Sequence, residues 1–312
     1  MTENHDQPAR LRPLKVGVQL PEVEWEPTWP ELAGMARAAE RIGLDSIWVG
    51  DHLLYKKEGF PPSAPWEAWS TLAALAAITE WVELGPLVAA SGFHNPSMLA
   101  KKAATIDLIS GGRLVVGLGS GWNPVEYAAY GFPYDRRVSR FAEAYEIIRT
   151  LLREGEIDFR GEFYSAEENV LLPRSPRPGG PPLMVGSSGE RMLSITLPTV
   201  DWWNIWYDDY ENSPDGLAPE LAKLDTACQK AGRDPGTLVR TICPYVQLPG
   251  GTGRSAGDPL KSRVRPIPVD RLAGELRTYA GMGIGHVMLV LDPITEASIE
   301  ALAPVLAALD AP

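Results

Sequence analysis

The stretch Ile106–Tyr127, IDLISGGRLVVGLGSGWNPVEY, runs a helix end, a strand and a second helix start together with almost no slack. An apolar helix reads as far as Ser110, Gly111 and Gly112 supply the turn beyond its C-terminus, and Arg113–Leu118 is a short apolar run. Such a run is what a parallel strand buried on both faces needs. Gly119, Ser120 and Gly121 then bring bare backbone to the strand's carboxyl end, and Asn123-Pro124 reads as an N-cap with proline at the first helical position. A phosphate or another anion suits that junction. The same glycines equally suit a tight turn that needs positive φ and nothing more. The dinucleotide fingerprint G-x-G-x-x-G is excluded, because it would need a small residue where Trp122 stands.

Outward from this stretch the same strand and helix unit repeats. Leu14–Leu20 is strand-like, and Trp29–Ile42 carries Leu32, Met35, Ala36, Ala39 and Ile42 at helical spacing, closed by Gly43. Asp45–Gly50 forms a second strand that ends at Asp51-His52, followed by a loop rich in proline and tryptophan and a helix over Ala68–Thr79. Val82–Ala90 and Ser97–Ile109 make the third unit, and the opening stretch makes the fourth. Helical segments at Val125–Tyr130 and Arg137–Arg153 precede a polar hairpin over Gly155–Leu172. Leu183–Gly186, Val200–Trp206, Val239–Leu248 and His286–Leu291 supply strands five to eight, each with a helix after it. Eight such alternations favour a (β/α)8 barrel, with insertions after strands 2, 4 and 7, over an open doubly wound sheet. The inserts compose no core of their own, so residues 1–312 read as a single domain. Residues 1–13 form an N-terminal tail, and the glycine-rich, basic stretch 249–268 reads as a mobile lid loop on the face of the other strand-to-helix loops.

Composition narrows the partners. With 45% hydrophobic and 22% charged residues the chain belongs among ordinary globular proteins, and its formal net charge of −11 argues against nucleic acid or an anionic membrane. Cys228 and Cys243 have neither disulfide-framework nor metal spacing, which suits a reducing cytoplasm. No early segment has the apolar core of a signal peptide, and no run has the length of a membrane span.

In a barrel of this kind chemistry collects where strands end. Those ends carry Gln19, Asp51, His52, Ser91 and His94 on the first three strands, Ser120 and Trp122 on the fourth, and Ser187, Ser188, Trp206, Tyr207 and Asp208 on the fifth and sixth. Hydroxyls and glycine amides beside aromatic rings suit a flat ligand that carries a phosphate. No His, Cys and carboxylate cluster has metal-ligand spacing, so no metal is expected. A barrel lyase would call for a Schiff-base lysine or a metal, and strands five to eight contain no lysine.

The order of motifs, DSIWVGDHL on strand two, HNPSMLAKKAATIDLISGGRLVVGLGSGW through strand four, EYAAYG after it and LMVGSSGERML on strand five, resembles the luciferase-like monooxygenase superfamily over most of the chain. The resemblance implies a bacterial oxidoreductase that binds FMN or the deazaflavin coenzyme F420 across the carboxyl-terminal face. His52 would be the active-site histidine, with Asp51 its acidic neighbour. Pro86, Leu87 and Val88 would belong to a bulged segment backing the ring, often through a non-prolyl cis peptide. Gln19, Ser120, Gly121, Trp122 and Asn123, with Gly186, Ser187, Ser188 and Gly189, would make up the rest of the cofactor site. Trp122 stands where deazaflavin-dependent sugar-phosphate dehydrogenases have a glutamate proposed as proton donor, and Lys56 where they have a tryptophan, so that particular activity is not implied.

The G-x-G-x-G-W-N-P-x-E-Y run with DHL resembles the deazaflavin branch more than luciferase, which has an arginine where Ser120 stands. Lys56, Lys57, Arg254, Lys261, Arg263 and Arg265 lie on loops placed to meet the coenzyme's polyglutamate tail. F420-dependent hydride transfer to or from a small organic substrate is the first reading. The alternatives are an FMN-dependent two-component monooxygenase using O2, and a flavin-binding protein without turnover. A separate reductase supplying reduced cofactor and a homodimer belong to what the resemblance implies.

Overall fold

The computed structural model of the protein describes residues 11–56, 58–252 and 264–311. Its elements follow the expected alternation: β1 Lys15–Gln19, α1 Trp29–Ile42, β2 Ser46–Val49, α2 Ala68–Ile78, β3 Glu83–Pro86, β4 Ala89–Ala90, α3 Pro96–Ile109, β5 Val116–Gly119, α4 Pro124–Tyr130 and α5 Arg137–Arg153. An antiparallel hairpin, β6 Glu156–Arg160 with β7 Ser165–Val170, leads to β8 Leu183–Gly186, α6 Glu190–Thr196, β9 Trp202–Trp206 and α7 Pro214–Lys230. The chain then runs through β10 Val239–Cys243, β11 Tyr245–Gln247, β12 Ile267–Pro268, α8 Leu272–Gly281, β13 His286–Asp292, α9 Glu296–Glu300 and α10 Ala303–Asp310.

All pairings of the large sheet are parallel, in the order β3-β2-β1-β13-β10-β9-β8-β5-β4. The two ends of that order are halves of one strand, and a bridge from Leu84 to Leu114 brings the ring together, with Leu84 N donating to Arg113 O at 3.0 Å and Val115 N to Leu84 O at 2.8 Å. The result is the (β/α)8 barrel that the sequence predicts.

Local chemistry explains the elements. Thr28 and Glu31 form a capping box at the start of α1, Gly43 ends it at φ 92°, and its buried face is Leu32, Met35, Ala36 and Ala39. The motif D-L-I-S-G-G-R serves the scaffold at the barrel's amino-terminal end. Buried Asp107 accepts from Leu114 N and from Arg177, and the Arg113 guanidinium donates to the carbonyls of Ala76, Thr79 and Val82, tying α2 to the fourth strand. Charge-assisted bonds to chain-end carbonyls are the strong kind.

The structure revises several boundaries. Strand three is two pieces, β3 and β4, with the Leu87–Val88 peptide, which is cis as the resemblance implies, between them. Strand four begins at Val116 with a bridge at Leu114, and strand seven is divided at Pro244, which has no N–H to donate to the ladder. Of the stretch read as a lid, residues 253–263 lie outside the described residues. Its far end is pinned in place: Ile267 and Pro268 pair in parallel with Val246 and Gln247, and Asn212 Nδ2 donates to Arg265 O at 3.0 Å.

Packing at the top of the barrel depends on glycine. A Cβ on Gly117 would lie 2.3 Å from Pro86 O, a backbone atom that cannot move aside, whereas one on Gly274, in α8, meets nothing within 4 Å. Gly117→Ala should therefore destabilise the protein by roughly 1–3 kcal/mol through overpacking. Gly274→Ala should stabilise it by about 0.5–1 kcal/mol by restricting the unfolded chain. Urea denaturation of both variants checks the pair, and a Gly117→Ala protein as stable as the parent would refute the packing assignment.

Candidate active site

The carboxyl ends of the strands surround a cavity of about 730 Å³, a size typical of cofactor sites. β2 delivers Asp51 and His52, the break in strand three delivers Leu87 and Val88, β5 delivers Gly119 to Trp122, and β8 delivers Gly186 to Ser188. Val88 fills the axis because the strands opposite it have no side chains: a Cβ on Gly117, Gly119 or Gly186 would come within 2.9 Å of a Val88 methyl.

His52 is the chemical centre of this wall. Its Nδ1 lies 2.8 Å from Glu126 Oε1 and its Nε2 3.6 Å from Glu22 Oε1, while Tyr55 and Trp122 flank the ring with centroids 4.8 and 5.6 Å away. Glu126 is fully buried, at the third position of α4, and also accepts from Leu53 N, the amide that follows the histidine. Burial by itself would discharge the ring, but the carboxylates of Glu22 and Glu126, with Asp51 beyond, more than offset it and raise the His52 pKa above its ordinary value. Glu126 is likewise buried, yet its bonds to His52 and to Leu53 N hold its pKa below the ordinary value. An ionised carboxylate only accepts, so Nδ1 carries a hydrogen and Nε2 is left to exchange a proton with a ligand. Glu22 is tied in turn by Tyr55, whose hydroxyl donates to Oε1, and by Gln19 Nε2 at 3.2 Å.

Asp51 works elsewhere. Its Oδ2 accepts from Ala90 N at 2.9 Å and lies 3.1 Å from His94 Nε2, so it anchors the strand-three segment beyond Val88. Its Oδ1 is buried without a hydrogen-bond partner among the described residues. His94 stands behind this carboxylate, against Trp69, and does not line the cavity.

At the end of β5, Gly121 adopts φ 71°, and a Cβ there would lie 2.2 Å from the Tyr127 hydroxyl, which donates to Ser120 O at 2.9 Å. The turn therefore demands glycine for its own sake. Arg137 Nε donates to Gly121 O at 3.1 Å, which sets a guanidinium beside this loop, and Arg191 at the start of α6 reaches Ser139. Asn123 caps α4 and donates to Leu54 O at 3.1 Å, joining the fourth loop to the second.

Of the residues singled out in the sequence, Asp51, His52, Leu87, Val88, Ser120, Gly121, Trp122, Gly186, Ser187 and Ser188 meet at the cavity. Gln19, Pro86, Asn123 and Gly189 do not line it: Gln19 supports Glu22, Pro86 closes β3, and Gly189 N donates to Ser187 Oγ. Among the described cations of the lid and second loop, neither Lys56 nor Arg265 lines it; Lys57, Arg254, Lys261 and Arg263 lie outside the described residues. Trp206 also lines the cavity, while Trp66, Trp69, Trp202 and Trp203 do not. Sequence reasoning missed Glu22, Tyr55 and Glu126. For Glu126 the signal was present, an acid in a run quoted for its resemblance, three residues after an N-cap, but that position favours an acid at any helix start.

Comparison with known proteins gives the family. A family model described as luciferase-like monooxygenase matches residues 11–247. The chain is 34% identical over 247 residues to an F420-dependent glucose-6-phosphate dehydrogenase from Amycolatopsis mediterranei, covering 74% of this chain and 69% of that protein. It is 32% identical over 283 residues to a phthiodiolone/phenolphthiodiolone dimycocerosates ketoreductase from Mycobacterium bovis, covering 84% and 71%. In fold it is similar to an F420-dependent secondary alcohol dehydrogenase solved with an F420-acetone adduct, with a TM-score of 0.78 at 19% identity over 95% of this chain and 99% of that one. The chain belongs to the luciferase-like monooxygenase family and is an enzyme of the oxidoreductase class.

The charged pair makes pH behaviour predictable. His52, with its raised pKa, adds stability that is complete below about pH 6.5 and lost as the pH climbs through the folded-state value. Glu126, with its lowered pKa, adds stability present above about pH 4.5 and lost as the pH falls through its folded-state value. An NMR titration should show the His52 ring titrating above its ordinary value in the parent and at lower pH in Glu126→Gln. An unchanged midpoint would separate the two side chains electrostatically.

Proposed function

We propose that the protein is an F420-dependent oxidoreductase that moves hydride between the deazaflavin and a small organic substrate. The observation that carries the reading is His52, its pKa raised and its ring oriented at the cavity wall by Glu126, with Nε2 as its proton-exchanging atom. The cavity fits the cofactor: its floor is Val88, its volume suits a tricyclic ring, and backbone with hydroxyls at Ser120, Gly121, Ser187 and Ser188 suits a phosphate. When bound, the deazaflavin supplies the hydride donor or acceptor. His52 then donates or takes the proton that accompanies hydride transfer at an oxygen or nitrogen of the substrate, Glu126 keeps Nδ1 occupied, and Tyr55 and Trp122 limit the approach of water. Among the described residues no group of side chains is placed to hold a metal ion.

Family membership and the relatives' names support this reading, and Ser120 in place of luciferase's arginine favours the deazaflavin over FMN. The same reading takes the chain as one barrel domain acting as a homodimer in a bacterial cytoplasm, with reduced cofactor drawn from a separate reductase.

Spectroscopic titration with F420 and FMN tests the choice: F420 should bind more tightly. Tighter FMN binding, with oxygen-dependent turnover once a reductase supplies reduced FMN, would move the protein to the two-component monooxygenases. Ser187→Asp should weaken either cofactor through like-charge repulsion at the phosphate. Unchanged affinity would place the phosphate elsewhere.

His52→Ala should lose about 10²–10⁴ in turnover, the usual scale for a proton-transfer group, while cofactor affinity changes little. Full turnover in that variant would remove His52 from the chemistry.

A further inference from the structure

Trp122 is the most exposed of the ten tryptophans, with 54% of its surface open, and it lines the cavity beside His52. A large aromatic side chain left open on a concave wall has a face to offer, and a ligand packed against it removes apolar surface from water.

The backbone beneath this ring is fixed. Three successive carbonyls of the turn each accept from a side chain of the segment that follows: Ser120 O from the Tyr127 hydroxyl at 2.9 Å, Gly121 O from Arg137 Nε at 3.1 Å and Trp122 O from the Tyr134 hydroxyl at 2.8 Å. The donors brace one another, with the Arg137 guanidinium 3.9 Å from the centre of the Tyr134 ring and Tyr134 edge-on to Tyr127 at 5.2 Å. Asn123, next in the chain, bonds to Leu54 O in the second loop. A ring carried on backbone held in this way has little freedom left to lose when a ligand packs against it.

Its place in the cavity gives the ring a task. The indole lies 5.6 Å from the His52 imidazole and 6.3 Å from Tyr55, and the interplanar angles of 67° and 46° show that neither ring is stacked flat upon it. A hydroxyl or carbonyl oxygen within hydrogen-bond reach of His52 Nε2 therefore brings its carbon skeleton into the space that these rings bound, with Leu87 and Val88 lining the same cavity.

We infer that Trp122 is a specificity-determining residue, its indole a platform for an aromatic or other flat conjugated group next to the oxygen-bearing carbon of the substrate. The inference rests on the reading above that His52 exchanges a proton with an organic substrate in this cavity. It divides one residue between two tasks: the Trp122 backbone belongs to the turn that ends β5, and the side chain serves the substrate rather than the cofactor.

Calorimetric titration of the F420-loaded protein with methyl phenyl ketone and methyl cyclohexyl ketone tests the inference. The cyclohexyl compound has no less apolar surface, so burial alone gives the phenyl compound no advantage. In the parent the phenyl ketone should bind about two- to tenfold more tightly, the range expected of an aromatic pair. Trp122→Phe should keep that preference and Trp122→Leu should abolish it, with F420 affinity unchanged in both. Equal binding of the two ketones by the parent overturns the inference. So does a preference that Trp122→Leu leaves intact, or a loss of F420 affinity in that variant as large as its loss of affinity for the phenyl ketone. If neither F420 nor FMN binds the parent, the proposed function fails, and the same two ketones on the protein alone, parent against Trp122→Leu, still decide the role of the indole.

Discussion

Val88 occupies the space that side chains on Gly117, Gly119 and Gly186 would fill, each of those positions placing a Cβ within 2.9 Å of its methyls. Close packing of this kind tolerates little change in volume, so the three glycines and the valine set the floor of the cavity together. Strand three cannot run straight through that point, and its two halves pair with different neighbours, β3 with β2 and β4 with β5. Asp51 then holds Ala90 N and thereby the segment beyond the break. Because β5 and β8 reach the top as glycine, their loops present backbone and hydroxyls to the cavity, and the larger polar side chains come from the first, second and sixth strands.

Over that floor the electrostatics are arranged around one ring. Burial alone would lower the pKa of a four-fifths buried imidazole, and it is raised instead because Glu22 faces one ring nitrogen and Glu126 sits at bonding distance from the other. Glu126 itself is affordable in the core because His52 and the Leu53 amide satisfy it. The pair joins the second strand-to-helix loop to α4, and Asn123 makes a second link between the same loops through Leu54. The orientation of His52 and the geometry of the loops are thus held by the same few bonds.

The fold was legible because the eight strands announce themselves as short apolar runs between glycines and helix caps, and their order leaves little freedom for a parallel sheet. The division at Pro244 is visible in that residue, and the break at Leu87–Val88 falls in the segment that the resemblance gives as bulged with a non-prolyl cis peptide, although no local periodicity shows it. His52 and the two serine and glycine loops were legible from their place at strand ends. Glu126 and Glu22 were not, since an acid near a helix start or in a loop looks like solvated surface until tertiary contacts bury it, and the bonds of Asp51 to Ala90 N and His94 likewise join residues that no local window contains. The D-L-I-S-G-G-R motif shows the reverse: it helps to identify the family, and its side chains hold the barrel's far end.

A crystal structure with F420 bound would test the central claim most directly, that the floor at Val88 and the ring at His52 define where the cofactor reacts. The account predicts the deazaflavin ring over Val88 with His52 beside it and the phosphate at Ser120, Gly121, Ser187 and Ser188. A phosphate held by the loops after the seventh and eighth strands, the commoner arrangement in barrels of this fold, would contradict it.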